Sequence, residues 1–305
     1  MRIQALISAI AVIPALAGAA TPVHLAPSTP WDVDYAENSC RLIRHFGTGS
    51  DDTLLALESE APGALDMLLV SKRLGTFNEE VPVKFVPVPS KTMSGVVGET
   101  VDKAIPMLLI SDIHLLPADA VADQEKMEAQ RKAHPEIRPP AVNLAEQASR
   151  EAQRLAFATN TTAIEVDARP NHPLILDTGS FGNAIKAFDQ CSRDSLRDWG
   201  VDPDVDSKIV RPVWAPRPWA WFNPGDYPRD MLIRGQESVV KVRVLVDATG
   251  RVTKCTSLSH FKAPEFNKIV CDKFTAKAHF EPAELADGTK VPSYYVNKVK
   301  FRIAH

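Results

Sequence analysis

Residues 238–257 read SVVKVRVLVDATGRVTKCTS, and this stretch decides the fold of the C-terminal part. Val240, Val242, Val244 and Val246 alternate with Lys241 and Arg243. In an extended chain that spacing puts the valines on one face and the cations on the other. Asp247-Ala248-Thr249-Gly250 is a turn with glycine last, and residues 251–257 read as the returning strand of a hairpin. Pro264 stands where a helix accepts proline, at its first position. Phe266, Ile269, Val270 and Phe274 then recur at one-turn spacing and give the helix a single apolar face. Phe280, Pro282 and Ala283 follow, then a loop at Asp287-Gly288, then Val291-Pro292. A last strand is predicted over 294–303, with Tyr295, Val299, Phe301 and Ile303 on its core face and Lys298, Lys300 and Arg302 opposite. The order strand, strand, helix, strand predicts an antiparallel sheet covered on one face by one helix.

These residues carry a resemblance. Tyr227-Pro228, Gly235, the strand ending at Val246-Asp247, Gly250, Val252, Phe280-Glu281-Pro282-Ala283, Asp287-Gly288 and Val291-Pro292 occur in the order and at the separations of the TonB C-terminal domain. The resemblance spans 227–303. It implies a binding module and not an enzyme. Its last strand would be an exposed edge, to which an extended peptide of an outer-membrane transporter adds as a further strand. The residues so implicated are Tyr294, Tyr295, Val296, Asn297, Lys298, Val299 and Lys300. Cys255 and Cys271 look like the paired cysteines of one subgroup of such domains. The front half is similar to the leader domain of some alphaproteobacterial TonB-like proteins, through Asp34-Tyr35, Cys40, Arg44–Gly47 (RHFG), Cys191 and the run from Trp199 to Pro203. That leaves Cys40 to pair with Cys191. Two departures stand out. The family's energy transducers bear a Ser and a His one turn apart on an uncleaved N-terminal helix, whereas Ser8 here is followed by Val12. A predicted folded domain also replaces their long proline-rich rod.

The chain begins with Arg2, an apolar run broken by Pro14, and Ala17-Gly18-Ala19, the pattern of a cleaved secretory signal peptide over 1–19. The apolar run is shorter than the roughly 20 residues a membrane span needs. Four cysteines in an exported chain favour two disulfides. No metal-ligand spacing occurs, and neither a cofactor nor a metal is expected. Residues 227–305 hold 14 Lys and Arg against 8 Asp and Glu, while the remainder is acidic. A basic tail on an acidic body favours an acidic partner for the tail, and nothing supports nucleic acid.

Four strands are predicted in the front half, over Cys40–Phe46, 65–71, 81–88 and 104–110, with Pro82, Pro87 and Pro89 demoting the third to an edge or irregular strand. Helices are predicted over 118–132, 142–158 and 180–199, and short strands over 162–166 and 174–176. Residues 211–228 are rich in proline and hold Trp214, Trp219 and Trp221, rings too large and apolar for free linker. Residues 174–180 read LILDTGS, the tetrad of aspartic peptidases at Asp177. That chemistry needs two carboxylates sharing a proton, and a single copy is present. The structural alternative is a turn in which Thr178 or Ser180 caps the following helix.

The reading is therefore an α+β protein. A signal peptide (1–19) precedes a mixed β-rich and helical N-terminal domain (20–206), a Pro/Trp-rich linker (207–226) and a small TonB-like domain (227–305). The expected role is periplasmic and transport-related. A structural protein that oligomerises through its edge strand, and an enzyme using Asp177, are the alternatives.

Overall fold

A computed structural model of the chain describes residues 21–63, 65–74, 80–100, 105–168, 173–258 and 264–303. The expected signal peptide lies outside the described residues. The N-terminal part holds ten strands: β1 (Val23–Leu25), β2 (Asp32–Tyr35), β3 (Cys40–Phe46), β4 (Thr53–Ser59), β5 (Asp66–Ser71), β6 (Glu80–Val86), β7 (Met93–Glu99), β8 (Pro106–Ile110), β9 (Ala163–Val166) and β10 (Leu174–Leu176). They form one sheet in the order β1-β10-β9-β6-β7-β8-β5-β4-β3-β2, antiparallel except for β1 with β10. Just after β1 the chain reaches β3. Pro27 bridges Phe46, and the Gly47 amide donates to the Ala26 carbonyl at 2.9 Å. The sheet is thereby curled until its two ends meet. Leu42, Phe46, Leu55, Leu57, Met67, Leu69, Val83, Phe85 and Leu108 fill its core and are almost wholly buried.

Three helices complete this part. They are α1 (Ala118–Ala133), α2 (Leu144–Asn160) and α3 (Gly182–Asp198). Asn143 caps α2, its side-chain oxygen accepting from the amides of Ala145 and Glu146. Ile185, Phe188, Cys191 and Leu196 are the buried face of α3, at the predicted helical spacing. A disulfide joins Cys191 to Cys40, tying α3 to β3.

Three expectations need correction. Neither Thr178 nor Ser180 caps α3; Phe181 takes that position and no side chain caps it. Strand β6 is not an edge: it lies between β9 and β7. Pro82 is tolerated there because the β9 ladder begins only at Val83. The Pro82 carbonyl still accepts from the Asp167 amide at 2.9 Å, so the missing N–H removes only the reciprocal bond at the end of that ladder. Strands β4 and β7 were also hidden. The first has buried Glu58 and Ser59 that blur its pattern. The second is loosened by Gly95, where a Cβ would stand 2.5 Å from the Leu109 carbonyl of β8.

The chain continues through α4 (Pro203–Asp206), β11 (Ile209–Arg211) and α5 (Arg229–Ile233) to the predicted hairpin, β12 (Ser238–Val246) and β13 (Val252–Ser257). Then come α6 (Pro264–Lys277), β14 (Ala283–Leu285), β15 (Lys290–Val291) and β16 (Ser293–Phe301). The hairpin and last strand form a sheet in the order β13-β12-β16. Val240, Val242, Val244 and Val246 are buried against Phe266, Val270 and Phe274 of α6. Gly250 is required at the turn: its φ is +84°, and a Cβ would meet the Phe280 carbonyl at 2.0 Å. The proline- and tryptophan-rich stretch is fastened to this unit. Strand β11 pairs with β14, and Trp221 packs edge-on against Phe274 and Phe280 at 5.5 and 5.2 Å. Among the described residues no helix is long and apolar enough to cross a membrane.

Cys255 on β13 is joined to Cys271 on α6, 16 residues apart. Closing a loop of that size constrains the unfolded chain by about 3 kcal/mol. Replacing both cysteines by serine is expected to lower the unfolding free energy by that amount in urea titrations of the oxidised proteins.

Candidate functional site: the edge of the C-terminal sheet

Strand β16 pairs with β12 from Ser293↔Val246 to Phe301↔Ser238 without a register shift. Its other side carries no strand among the described residues. The direction of each backbone group follows from one hydrogen bond. The Leu258 amide donates to the Lys241 carbonyl at 2.8 Å, so Lys241 turns its backbone groups toward β13. In an antiparallel ladder successive residues alternate sides, and opposed residues exchange both bonds or neither. Val240, Val242, Val244 and Val246 therefore face β16 and bond to Val299, Asn297, Tyr295 and Ser293. Tyr294, Val296, Lys298 and Lys300 turn their N–H and C=O groups outward, as an unpaired edge. The Lys298 amide supports this assignment: it is free of the ladder and donates to Asn297 Oδ1 at 2.8 Å.

The side chains divide the same seven residues differently. Tyr295, Asn297 and Val299 lie on the α6 face, where Tyr295 meets Phe280 at 5.0 Å and burial pushes its phenol up to about 12. Tyr294, Val296, Lys298 and Lys300 lie on the opposite face with Lys241 and Arg243. That face packs on the N-terminal domain. Lys241 and Arg243 are only 8% and 3% exposed. The Lys241 ammonium contacts Glu60 and lies 2.9 Å from Asp66. Arg243 donates to the carbonyls of Asn38 and Glu60 at 3.0 and 2.8 Å, and its guanidinium lies 3.5 Å above the centre of the Trp199 ring. Trp199 also meets Tyr294 edge-on at 5.8 Å. At the far end Lys298 pairs with Asp112 at 2.6 Å, while Arg302 pairs with Glu237.

Burial sets the electrostatics of this interface. It pulls the Lys241 ammonium down, but Glu60 and Asp66 together hold it above its ordinary value. Arg243 is lowered to about 10 by burial, with Glu60 opposing. Burial raises Glu60 above the usual carboxylate range, against the pull of Lys241. Between the unfolded value and that raised value the folded chain holds the extra proton, so the Glu60 contribution to stability declines as pH rises through the window. Glu60→Gln is expected to flatten the pH dependence of the unfolding free energy from the ordinary value of 4.5 upward, read from urea midpoints across that range.

Glu60, Asp66, Asp112 and Trp199 were not predicted as contacts. The signal was two cations on a valine-rich strand, which the sheet places in its middle. A central strand carrying buried cations needs acidic partners in front of it. The acidic front half that composition revealed supplies them, so part of the charge asymmetry is satisfied within the chain.

Asp177 follows β10 and lies 3.1 Å from the exposed His24 Nδ1. Thr178 is buried beside it, and its carbonyl accepts from Arg44 at 2.8 Å. Asp247 to Gly250 is the β12–β13 turn: Asp247 Oδ1 accepts from the amides of Thr249 and Arg251.

Comparison with known families agrees with the C-terminal geometry. Residues 223–303 match the family described as Gram-negative bacterial TonB protein C-terminal. That stretch is a TonB C-terminal domain; the N-terminal domain has no identified family. The family is non-enzymatic, and its general role is interaction with TonB-dependent outer-membrane transporters. No curated protein matches the chain.

Proposed function

Taking residues 223–303 as a TonB C-terminal domain, we propose that the chain is an exported, periplasmic binding protein that docks an extended segment of an outer-membrane transporter on the free edge of β16. The observation that carries this reading is the outward backbone of Tyr294, Val296, Lys298 and Lys300 on a strand paired on one side only. A segment laid beside them gains main-chain hydrogen bonds without rearrangement of the core. The two disulfides support an oxidising compartment. The domain division at 206 and 226 and the cleavage of residues 1–19 belong to the same proposal. The chain itself is read as non-enzymatic.

The test is affinity of the oxidised chain for synthetic periplasmic segments of outer-membrane transporters, with light scattering at two protein concentrations beside it. Saturable binding by a monomer supports the proposal. Concentration-dependent dimerisation without peptide binding favours pairing of two copies through the same edge.

A further inference from the structure

Lys298 offers a docking strand two groups, its outward amide and its ammonium, and the chain already satisfies both. The amide donates to Asn297 Oδ1 at 2.8 Å, and the ammonium is 2.6 Å from the Asp112 carboxylate. Asp112 belongs to the N-terminal domain, in the loop after β8. Its backbone is held at φ +58°, the one non-glycine residue at positive φ among those described. Its amide donates to Asp66 Oδ1 at 2.8 Å, and the other Asp66 oxygen takes Lys241. The buried interface thus fixes the loop that presents the Asp112 carboxylate. That carboxylate is 66% exposed, so an incoming group can reach and displace it.

We infer that Asp112 and Asn297 stand in for a partner, and that the segment docking on β16 carries an acidic side chain opposite Lys298. The inference rests on the strand-docking reading above. A strand added to β16 places alternate side chains on the face shared by Lys298 and Lys300. Lys298 and Lys300 line a groove of about 1030 Å3 together with Asp66 and Asp112 of the N-terminal part, and Glu237 and Glu265 line it as well. Lys300 is exposed and has no ion pair among the described residues. A segment with carboxylates two residues apart reaches both lysines. Its backbone carbonyl replaces Asn297 Oδ1 on the Lys298 amide, and its carboxylate replaces Asp112 on the ammonium. The N-terminal part then contributes to the lining of the binding groove and acts as the competitor that favours acidic segments over neutral ones.

The experiment uses the full oxidised chain and two fluorescein-labelled ten-residue peptides that differ only in carrying Glu or Gln at alternate positions. Dissociation constants come from fluorescence anisotropy at low ionic strength, where exposed charge pairs are least screened. Asp112→Asn keeps a residue that tolerates positive φ, and a thermal melt confirms that it is folded. It is expected to bind the Glu peptide about two- to fivefold more tightly than the parent, the range of one exposed ion pair, and the Gln peptide unchanged. In the Lys298→Ala background the Asp112→Asn gain is expected to vanish. A parent that binds the Glu peptide while Asp112→Asn gives no gain, or an equal gain for both peptides, overturns this inference alone. Binding of neither peptide by any variant overturns it together with strand docking.

Discussion

Lys241→Ala is expected to cost about 3–5 kcal/mol of stability, because it strips the counter-ion from two almost wholly buried carboxylates. Glu60 and Asp66 are 3% and 4% exposed, so little water reaches either beyond the groove that Asp66 borders, and both lie against the Lys241 ammonium. The attraction of the cluster is largely offset by the desolvation of its members, so the loss comes mainly from orphaning the acids. This sets a second expectation. Lys241→Met combined with Glu60→Gln and Asp66→Asn removes the charges together and should recover most of the loss. The amide oxygen introduced by Asp66→Asn can still accept the Asp112 amide. Lys268→Ala is the contrast. Its pair with Asp272 is 75% and 60% exposed, and its removal should change stability by no more than about 1 kcal/mol. Urea unfolding of the parent and the three variants checks all three statements. A Lys241→Ala loss no larger than that of Lys268→Ala would mean that the domains do not hold this interface in solution.

The second large effect separates neighbouring positions on one strand. Asn297 exchanges both backbone bonds with Val242 in the middle of the sheet, whereas Val296 turns its amide away from β12. Asn297→Pro removes the donor to the Val242 carbonyl, buried under α6. An orphaned buried acceptor costs roughly 1–3 kcal/mol, and the proline ring adds its own displacement of the strand. Val296→Pro removes an amide that has no partner within the sheet, as edge strands allow. Thermal melts should therefore show a marked loss for Asn297→Pro and a small one for Val296→Pro. The reverse order would mean that the backbone direction along β16 has been assigned to the wrong side.

Much of the C-terminal unit was legible because its signals are local. Alternation at Val240–Val246, glycine at 250 and one apolar helix face from Phe266 to Phe274 each name an element and its buried side. Three elements in that order leave few ways to close a sheet. The faces of β16 followed from the same alternation. What covers the cation face was not legible, because Glu60, Asp66 and Asp112 lie more than a hundred residues away and none belongs to a periodic pattern. The N-terminal sheet shows the same limit from another side. Strand β3 was read to its ends, since the apolar Cys40, Leu42, Ile43 and Phe46 stand between turn-forming residues. The central position of β6 depended on where β9 stops, which only the long-range pairing decides.

The central claim is that the outward backbone of β16 receives a partner strand, and Val296→Pro tests it most directly. The protein should melt close to the parent, since no ladder bond is lost, while one main-chain donor to the docked segment disappears. The measurement is the dissociation constant of parent and Val296→Pro for the same transporter segment, each protein shown folded under the binding conditions. A net hydrogen bond is worth about 0.5–1.5 kcal/mol, which corresponds to a weakening of about two- to twelvefold, with the ring's bulk at the edge adding to it. The account predicts a folded variant with binding weakened at least that far. A folded variant that binds the segment as tightly as the parent would contradict it.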